Sequence, residues 1–323
     1  MKRDKFKKRN KKNILVLWLF IISLIFVLIA ASVAYVGFNY TLNRKFKETF
    51  YCVSSLKVNN RIRVVQISDL HNCSYGNNNQ NMIDRIEKLK PDLIIYTGDC
   101  IDSQSQTEDD VIALCGALAK FAPSYYIFGN NEVERYYDNP LTQQSLDEKF
   151  GFNDENRDPQ KLLELTDAFT QRLEEAGVKV LKNSSDTITV GSTEVDVYGV
   201  LTSNPSSFWS YAGDSFDKYI YSNENNLKIM AIHEPTVFEE YSPDTWGDVL
   251  FAGHTHGGMA RIPIIGPVYT EDLGILPARK GHLVYGRYDV QGRPLIISSG
   301  LDNNTFLRIN NQPEIVIVDI NKF

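Results

Sequence analysis

Residues 61–102 read RIRVVQISDLHNCSYGNNNQNMIDRIEKLKPDLIIYTGDCID. Two apolar runs, Arg61–Ser68 and Asp92–Thr97, flank an amphipathic segment at Asn81–Lys90. Runs this short and β-branched predict buried strands, and the segment between them predicts a helix. The alternation continues with a helical Val111–Phe121 and a third strand at Ser124–Phe128. A β-α-β-α-β order places neighbouring strands parallel, joined by right-handed crossovers.

Further along, the pattern changes. Residues 133–187 are more polar and predict a mostly helical, divergent segment, with Pro159 opening a helix that Gly177 ends. Short strands are then expected at Thr187–Val190, Val195–Val200, Leu227–Ile232, Asp248–Ala252, Leu283–Tyr288, Leu295–Ser298 and Glu314–Asp319. Turn signals rather than helices separate several of them, which predicts sheets of mixed direction. Two sheets packed face to face, with helices outside, fit this pattern.

The chain of 323 residues is long enough for a full core, but its charge is uneven. Residues 1–12 form a basic tail with eight Lys or Arg and one Asp, leaving 26 basic and 39 acidic residues elsewhere. So acidic a body is a poor partner for a nucleic-acid duplex. It still admits a small phosphorylated substrate where a metal supplies local positive charge. Residues 14–36 (ILVLWLFIISLIFVLIAASVAYV) carry no charge and are long enough to cross a bilayer. Ser32-Val33-Ala34 resembles a cleavage site, but the run exceeds a signal-peptide core, which favours an uncleaved signal anchor. With the tail held in the cytoplasm, the body is expected outside the cell membrane on a single pass. Residues 37–60 read as a stalk and 61–323 as the domain. Cys52, Cys73, Cys100 and Cys115 show no metal-type pairing and read as buried free thiols.

The polar residues of interest share one address, the end of an apolar strand. Asp69 and His71 follow RVVQIS, and Asp99 and Asp102 follow DLIIYT. Asn130 and Asn131 follow YYIF, His233 follows LKIMAI, and His254 and His256 follow DVLFA. Four of the five histidines lie at such ends, while His282 has no partner motif and reads as structural. In extended backbone, residues two apart point the same way, so Asp69 with His71, and His254 with His256, are each expected to converge on a metal. Imidazole with carboxylate and no thiolate suits Zn, Fe or Mn in an open site.

The ordered set SDLH, TGDCID, FGNNE, IHEP and GHTHGG resembles the calcineurin-like metallophosphoesterase superfamily. The stretches GHTHGGMARIPIIGP and GLDNNTFLRINNQPEIVIVDI are similar to its bacterial membrane-associated branch, that of YkuE and YaeI. The resemblance implies an α/β fold, a four-layered αββα sandwich with a two-metal site. Asp69, His71, Asp99 and His256 would hold one divalent ion, and Asp99, Asn130, His233 and His254 the other. A bridging Asp99 has two oxygens for two cations. The implied reaction is hydrolysis of a phosphoester, a diester rather than a monoester, by a metal-bound hydroxide. Substrates within reach of such an enzyme include lipid head groups, wall polymers and nucleotides. Asn131 stands where most of the superfamily has a histidine that assists the leaving group, and a carboxamide cannot deliver that proton. Glu132 and Asp102 are the neighbouring candidates for the role. The alternative is a slow or non-catalytic module that binds metal and phosphate. Aromatics in Pro205–Tyr221 suggest either core or a membrane-facing lip, and Tyr136 and Tyr137 either wall the site or pack.

Overall fold

A computed structural model describes residues 2–103, 105, 107–137, 167–201, 216–240, 246–304 and 308–323. Helix α1 (Lys2–Asn43) precedes strand β1 (Lys47–Ser55). There follow β2 (Ile62–Ile67), α2 (Gln80–Leu89), β3 (Leu93–Thr97), α3 (Asp109–Leu118), β4 (Ser124–Ile127) and α4 (Asn130–Tyr137). Helix α5 (Asp167–Glu175) leads into β5 (Val178–Val180), β6 (Ser184–Val190), β7 (Thr193–Gly199), β8 (Leu227–Ala231) and β9 (Val249–Ala252). Two short hairpins pair β10 (Arg261–Ile262) with β11 (Gly266–Pro267), and β12 (Tyr269–Thr270) with β13 (Gly274–Ile275). Strands β14 (Gly286–Val290), β15 (Arg293–Ile297) and β16 (Glu314–Lys322) complete the chain.

Two six-stranded sheets form, in the orders β1-β16-β2-β3-β4-β5 and β14-β15-β9-β8-β7-β6. Their facing sides bury a single apolar layer, with Val64, Ile95 and Ile127 from the first sheet against Val197, Ile229 and Phe251 from the second. Helices cover the outer face of the first sheet. In α3, Val111, Leu114, Cys115 and Leu118 recur at helical spacing and all are buried, and Asp109 and Asp110 suit its positive end. The expected four-layered α/β sandwich is what forms, with sheets of mixed direction as the turn signals predicted.

Three expectations need amendment. The stalk is divided between the end of α1 and β1, which pairs in parallel with β16 at the edge of the first sheet. Being half exposed, β1 lacks the apolar run that marks a central strand, and its partner lies more than 250 residues away. Within 133–187, α4 and α5 are helical and Gly177 closes α5 at φ +90, but β5 and the start of β6 are strands. Residues 138–166, Pro159 among them, lie outside the described residues, as do the side chains of Tyr136 and Tyr137. Of the aromatic segment, 205–215 lies outside them too. Phe216 and Tyr219 pack with Trp246 beneath the second sheet, as the core reading expects, while Tyr221 is exposed. Among the cysteines, Cys73, Cys100 and Cys115 are free and buried as expected, whereas Cys52 is free but exposed on β1.

Residues 14–43 form a helical stretch long and apolar enough to cross a membrane. Its last turns meet the body. Tyr35 donates to Asn310 Oδ1 (2.5 Å), Asn39 Oδ1 accepts from the Asn310 N–H (2.8 Å), and Asn43 donates to the Arg308 carbonyl (3.0 Å).

Candidate active site

All seven expected ligands meet in one place, at the ends of β2, β3, β4, β8 and β9. They do not converge through extended backbone. Asp69 (φ 49), His71 (φ 46), Asp99 (φ 53), His254 (φ 71) and His256 (φ 49) are all left-handed. Side chains of this kind adopt that region at a cost of order 1–3 kcal/mol each, and persist there only where their surroundings over-determine it. Here the surroundings are backbone bonds between neighbouring loops: Asp69 N–H to Gly98 O, His71 N–H to Asp99 O and Asn72 N–H to Cys100 O, each 3.0 Å. Gly129 makes the close approach possible, because a Cβ there would lie 2.2 Å from Asp99 Oδ1.

The ligand atoms fall into two groups, Asp69–His71–His256 and Asp99–His233–His254. Asp99 stands between them, its Oδ2 lying 3.1 Å from His233 Nε2 and 3.8 Å from His71 Nε2. His254 Nδ1 lies 3.1 Å from His233 Nε2 and 3.0 Å from Asn130 Oδ1. Outward contacts aim the rings. His233 Nδ1 lies 2.6 Å from the Thr97 carbonyl and His254 Nε2 lies 2.6 Å from Asp272 Oδ2. A proton on each outer nitrogen leaves the inner lone pair for a cation. His71 Nε2 is buried with no hydrogen-bond partner among the described residues, facing the gap beside Asp99. Crowded inward lone pairs and one orphaned nitrogen are what a divalent cation would satisfy, so the donor set fits divalent metal.

Electrostatics agree. Burial alone would raise the Asp99 carboxyl, but the imidazoles of His233, His71 and His254 outweigh it and hold the group well below the carboxylate range. Burial lowers His233, yet Asp99 dominates and lifts it to about 10. Burial, with His71 and Arg308 adding to it, keeps His256 well below its usual value and hence neutral. Without a cation, a proton on His233 balances Asp99. A metal needs the neutral ring, so binding expels that proton. Apparent Mn²⁺ affinity should therefore climb with pH below about 10, roughly tenfold per unit for one proton displaced. Calorimetric titration in buffers of different protonation enthalpy measures that release, and a pH-independent affinity would contradict it.

The three residues considered for leaving-group assistance separate. Glu132 is fully buried and cannot reach a substrate. Its Oε2 accepts from the Asp99 and Gly129 N–H groups (both 2.8 Å). Its Oε1 accepts from the N–H groups of Cys100 (2.9 Å) and Ile101 (3.2 Å) and from the Tyr126 hydroxyl (2.6 Å). Glu132 is thus the staple of the β3 and β4 loops, and the reading of it as an acid is withdrawn. Asn131 lines the cavity, but its Nδ2 donates to Asp99 Oδ2 (2.7 Å) and its Oδ1 accepts from the Ser103 N–H (3.1 Å). It positions Asp99. Asp102 lines the same cavity of about 400 Å³, its Oδ2 lying 4.0 Å from His71 Nδ1. His282 bonds Glu239 at 2.9 Å, away from these groups, as expected of a structural residue.

Sequence reasoning passed over three contributors. Asp272 orients His254, Arg308 lies fully buried with Nη2 3.3 Å from His256 Nδ1, and Asn72 Oδ1 holds the Asp102 N–H at 2.8 Å. Only Arg308 left a local signal, a charge inside the apolar FLRI.

The sequence profile of calcineurin-like phosphoesterases matches residues 62–258, from the start of β2 to the glycines after His256. Phosphodiesterase YaeI of Escherichia coli (strain K12) is 24% identical over 233 residues, covering 72% of this chain and 71% of YaeI. The uncharacterized metallophosphoesterase YkuE of Bacillus subtilis (strain 168) is 26% identical over 260 residues, 79% of this chain and 77% of YkuE. Among solved structures, phosphopantetheinyl hydrolase (PptH) from Mycobacterium tuberculosis aligns with 74% of this chain and 89% of its own, at 12% identity and a TM-score of 0.42.

Proposed function

This chain belongs to the calcineurin-like phosphoesterase family, and from that footing we propose that it is a membrane-anchored, outward-facing hydrolase of phosphodiesters with a two-metal site. The observation that carries the reading is the pair of ligand groups meeting at Asp99 on one cavity. Asp69, His71, Asp99 and His256 would hold one divalent ion; Asp99, Asn130, His233 and His254 would hold the other. Bound there, the ions supply positive charge for phosphoryl oxygens and make a water acidic enough to attack.

The chain's own residues do the rest. Asn131 and the Asn131 backbone N–H (2.8 Å) hold both oxygens of Asp99 in place. Asp272 and the Thr97 carbonyl fix the rings of His254 and His233. Of Glu132 and Asp102, the candidates for handling the leaving group's proton, Asp102 is the one that lines the cavity. A diester is favoured over a monoester because its relative YaeI is a phosphodiesterase. The basic residues in the first turns of α1, ahead of the apolar stretch 14–36, support a cytoplasmic N-terminus and an extracytoplasmic site.

A second reading rests on Asn131. With its amide engaged by Asp99 and Ser103, the usual proton donor has no replacement at that position. The chain could then bind metal and phosphate while turning over slowly. One assay separates the two readings, hydrolysis of bis-p-nitrophenyl phosphate against the mono-ester. We expect Mn²⁺-dependent diester cleavage that chelation removes and Mn²⁺ restores. Stoichiometric metal without cleavage would establish the binding module instead.

A further inference from the structure

The hairpin β10–β11 carries an apolar tip that is left exposed among the described residues. Ile262 and Ile265 are substantially exposed, and Ile264 is 104% exposed. Ile264 also has φ 72, the left-handed region that a β-branched side chain strongly avoids. A hairpin shaped only to turn in water would place Gly, Asn or Asp there. This one places isoleucine against both solvent and backbone preference. Next to it, on β12–β13, Ile275 is 65% exposed and Tyr269 is exposed as well. Arg279 and Lys280 are exposed in the turn packed beside β11.

The tip is tied to the membrane helix and to the cavity at once. Asn310, which Tyr35 and Asn39 of α1 grip, donates its amide to the Arg261 carbonyl at the hairpin's root (3.0 Å). The Arg261 N–H donates in turn to the Ile309 carbonyl (2.9 Å). One residue therefore joins the hairpin to the level at which α1 enters the body. Met259 before the hairpin, and Thr270, Glu271 and Asp272 after it, line the metal cavity.

We propose that the isoleucine tip inserts into the bilayer that α1 spans, setting the cavity at head-group level to act on a phosphodiester carried by a membrane lipid. The reading of α1 as a span and of the cavity as a diesterase is presupposed. Apolar side chains suit the acyl boundary, Tyr269 suits the wet-apolar border, and the two cations suit anionic head groups.

Because α1 holds the chain on the membrane, binding cannot report insertion, but depth can. The test uses the full chain, Cys52→Ser, in nanodiscs of phosphatidylethanolamine and phosphatidylglycerol with brominated acyl chains. A bimane on Ile264→Cys should be quenched by the bromines. One on Asn225→Cys, in the turn before β8 and at the far end of the strand leading to His233, should not. Ile264→Asp, a change at a fully exposed tip, should lower cleavage of vesicle phosphodiester lipids by roughly tenfold or more while bis-p-nitrophenyl phosphate turns over as before. An unquenched bimane in water overturns insertion, and so does one shielded without quenching, which would mean a protein partner or a second copy. Cleavage of the soluble diester with no membrane lipid cleaved overturns the substrate class. If no diester is cleaved at all, the hydrolase reading fails, and quenching still decides the hairpin.

Discussion

Asp99→Ala is expected to reduce metal-dependent diester hydrolysis by about 10³-fold or more, because a lost metal clamp is worth several kcal/mol of barrier. Asp99 stands between the two ligand groups, with His233 Nε2 at 3.1 Å and His71 Nε2 at 3.8 Å from its Oδ2. Alanine removes the shared anion and leaves three imidazoles facing one another. His233 then loses the charge that lifts it to about 10, and a bound divalent ion would lose an anionic ligand. Turnover measured with metal content by mass spectrometry should show both falling together. Full metal content with undiminished turnover would end the two-metal scheme. Full metal content without turnover would instead mean that Asp99 acts chiefly on the reacting groups.

Glu132→Ala is expected to destabilise the protein by about 3–5 kcal/mol, since it strands a buried set of donors rather than deleting an exposed acid. Four backbone N–H groups and the Tyr126 hydroxyl lose their acceptor together. That position is closed to bulk solvent, as Glu132 and Tyr126 are both fully buried. Glu132→Gln should be damaging as well, because its amide nitrogen must face at least two donors. The loops involved carry Asp99 and Asn130, so metal affinity should weaken along with stability. Thermal unfolding of the detergent-solubilised chain measures the first effect, and Mn²⁺ titration the second. A variant of native stability that had lost only its pH–rate dependence would restore Glu132 as an acid.

The seven candidate ligands were legible because each follows an apolar run, and a buried strand that ends in a turn marks its C-terminal edge locally. What the ligands do to one another was not. Asp69 with His71, and His254 with His256, looked convergent through a two-residue repeat, yet all four sit in left-handed turns. Turn conformation depends on bonds to neighbouring loops, such as His71 N–H to Asp99 O, which no local pattern records. Asn131 illustrates the same limit. Its identity marked it as unusual, but only the fold showed its amide spent on orienting Asp99. Arg308 and Asp272 escaped notice because their partners, His256 and His254, lie far from them in sequence.

By itself, then, the sequence determined the alternation of strands and helices, the membrane-length apolar run and the residue types gathered at strand ends. These are properties of short windows, set by periodicity and by chain polarity. The tertiary structure alone decided that β1 joins the sheet through β16, that Glu132 is a staple and not an acid, and that 262–265 projects beside the helix docked at Asn310. Each of those depends on groups brought together across the fold, where burial and partner geometry, not residue identity, set what a side chain can do.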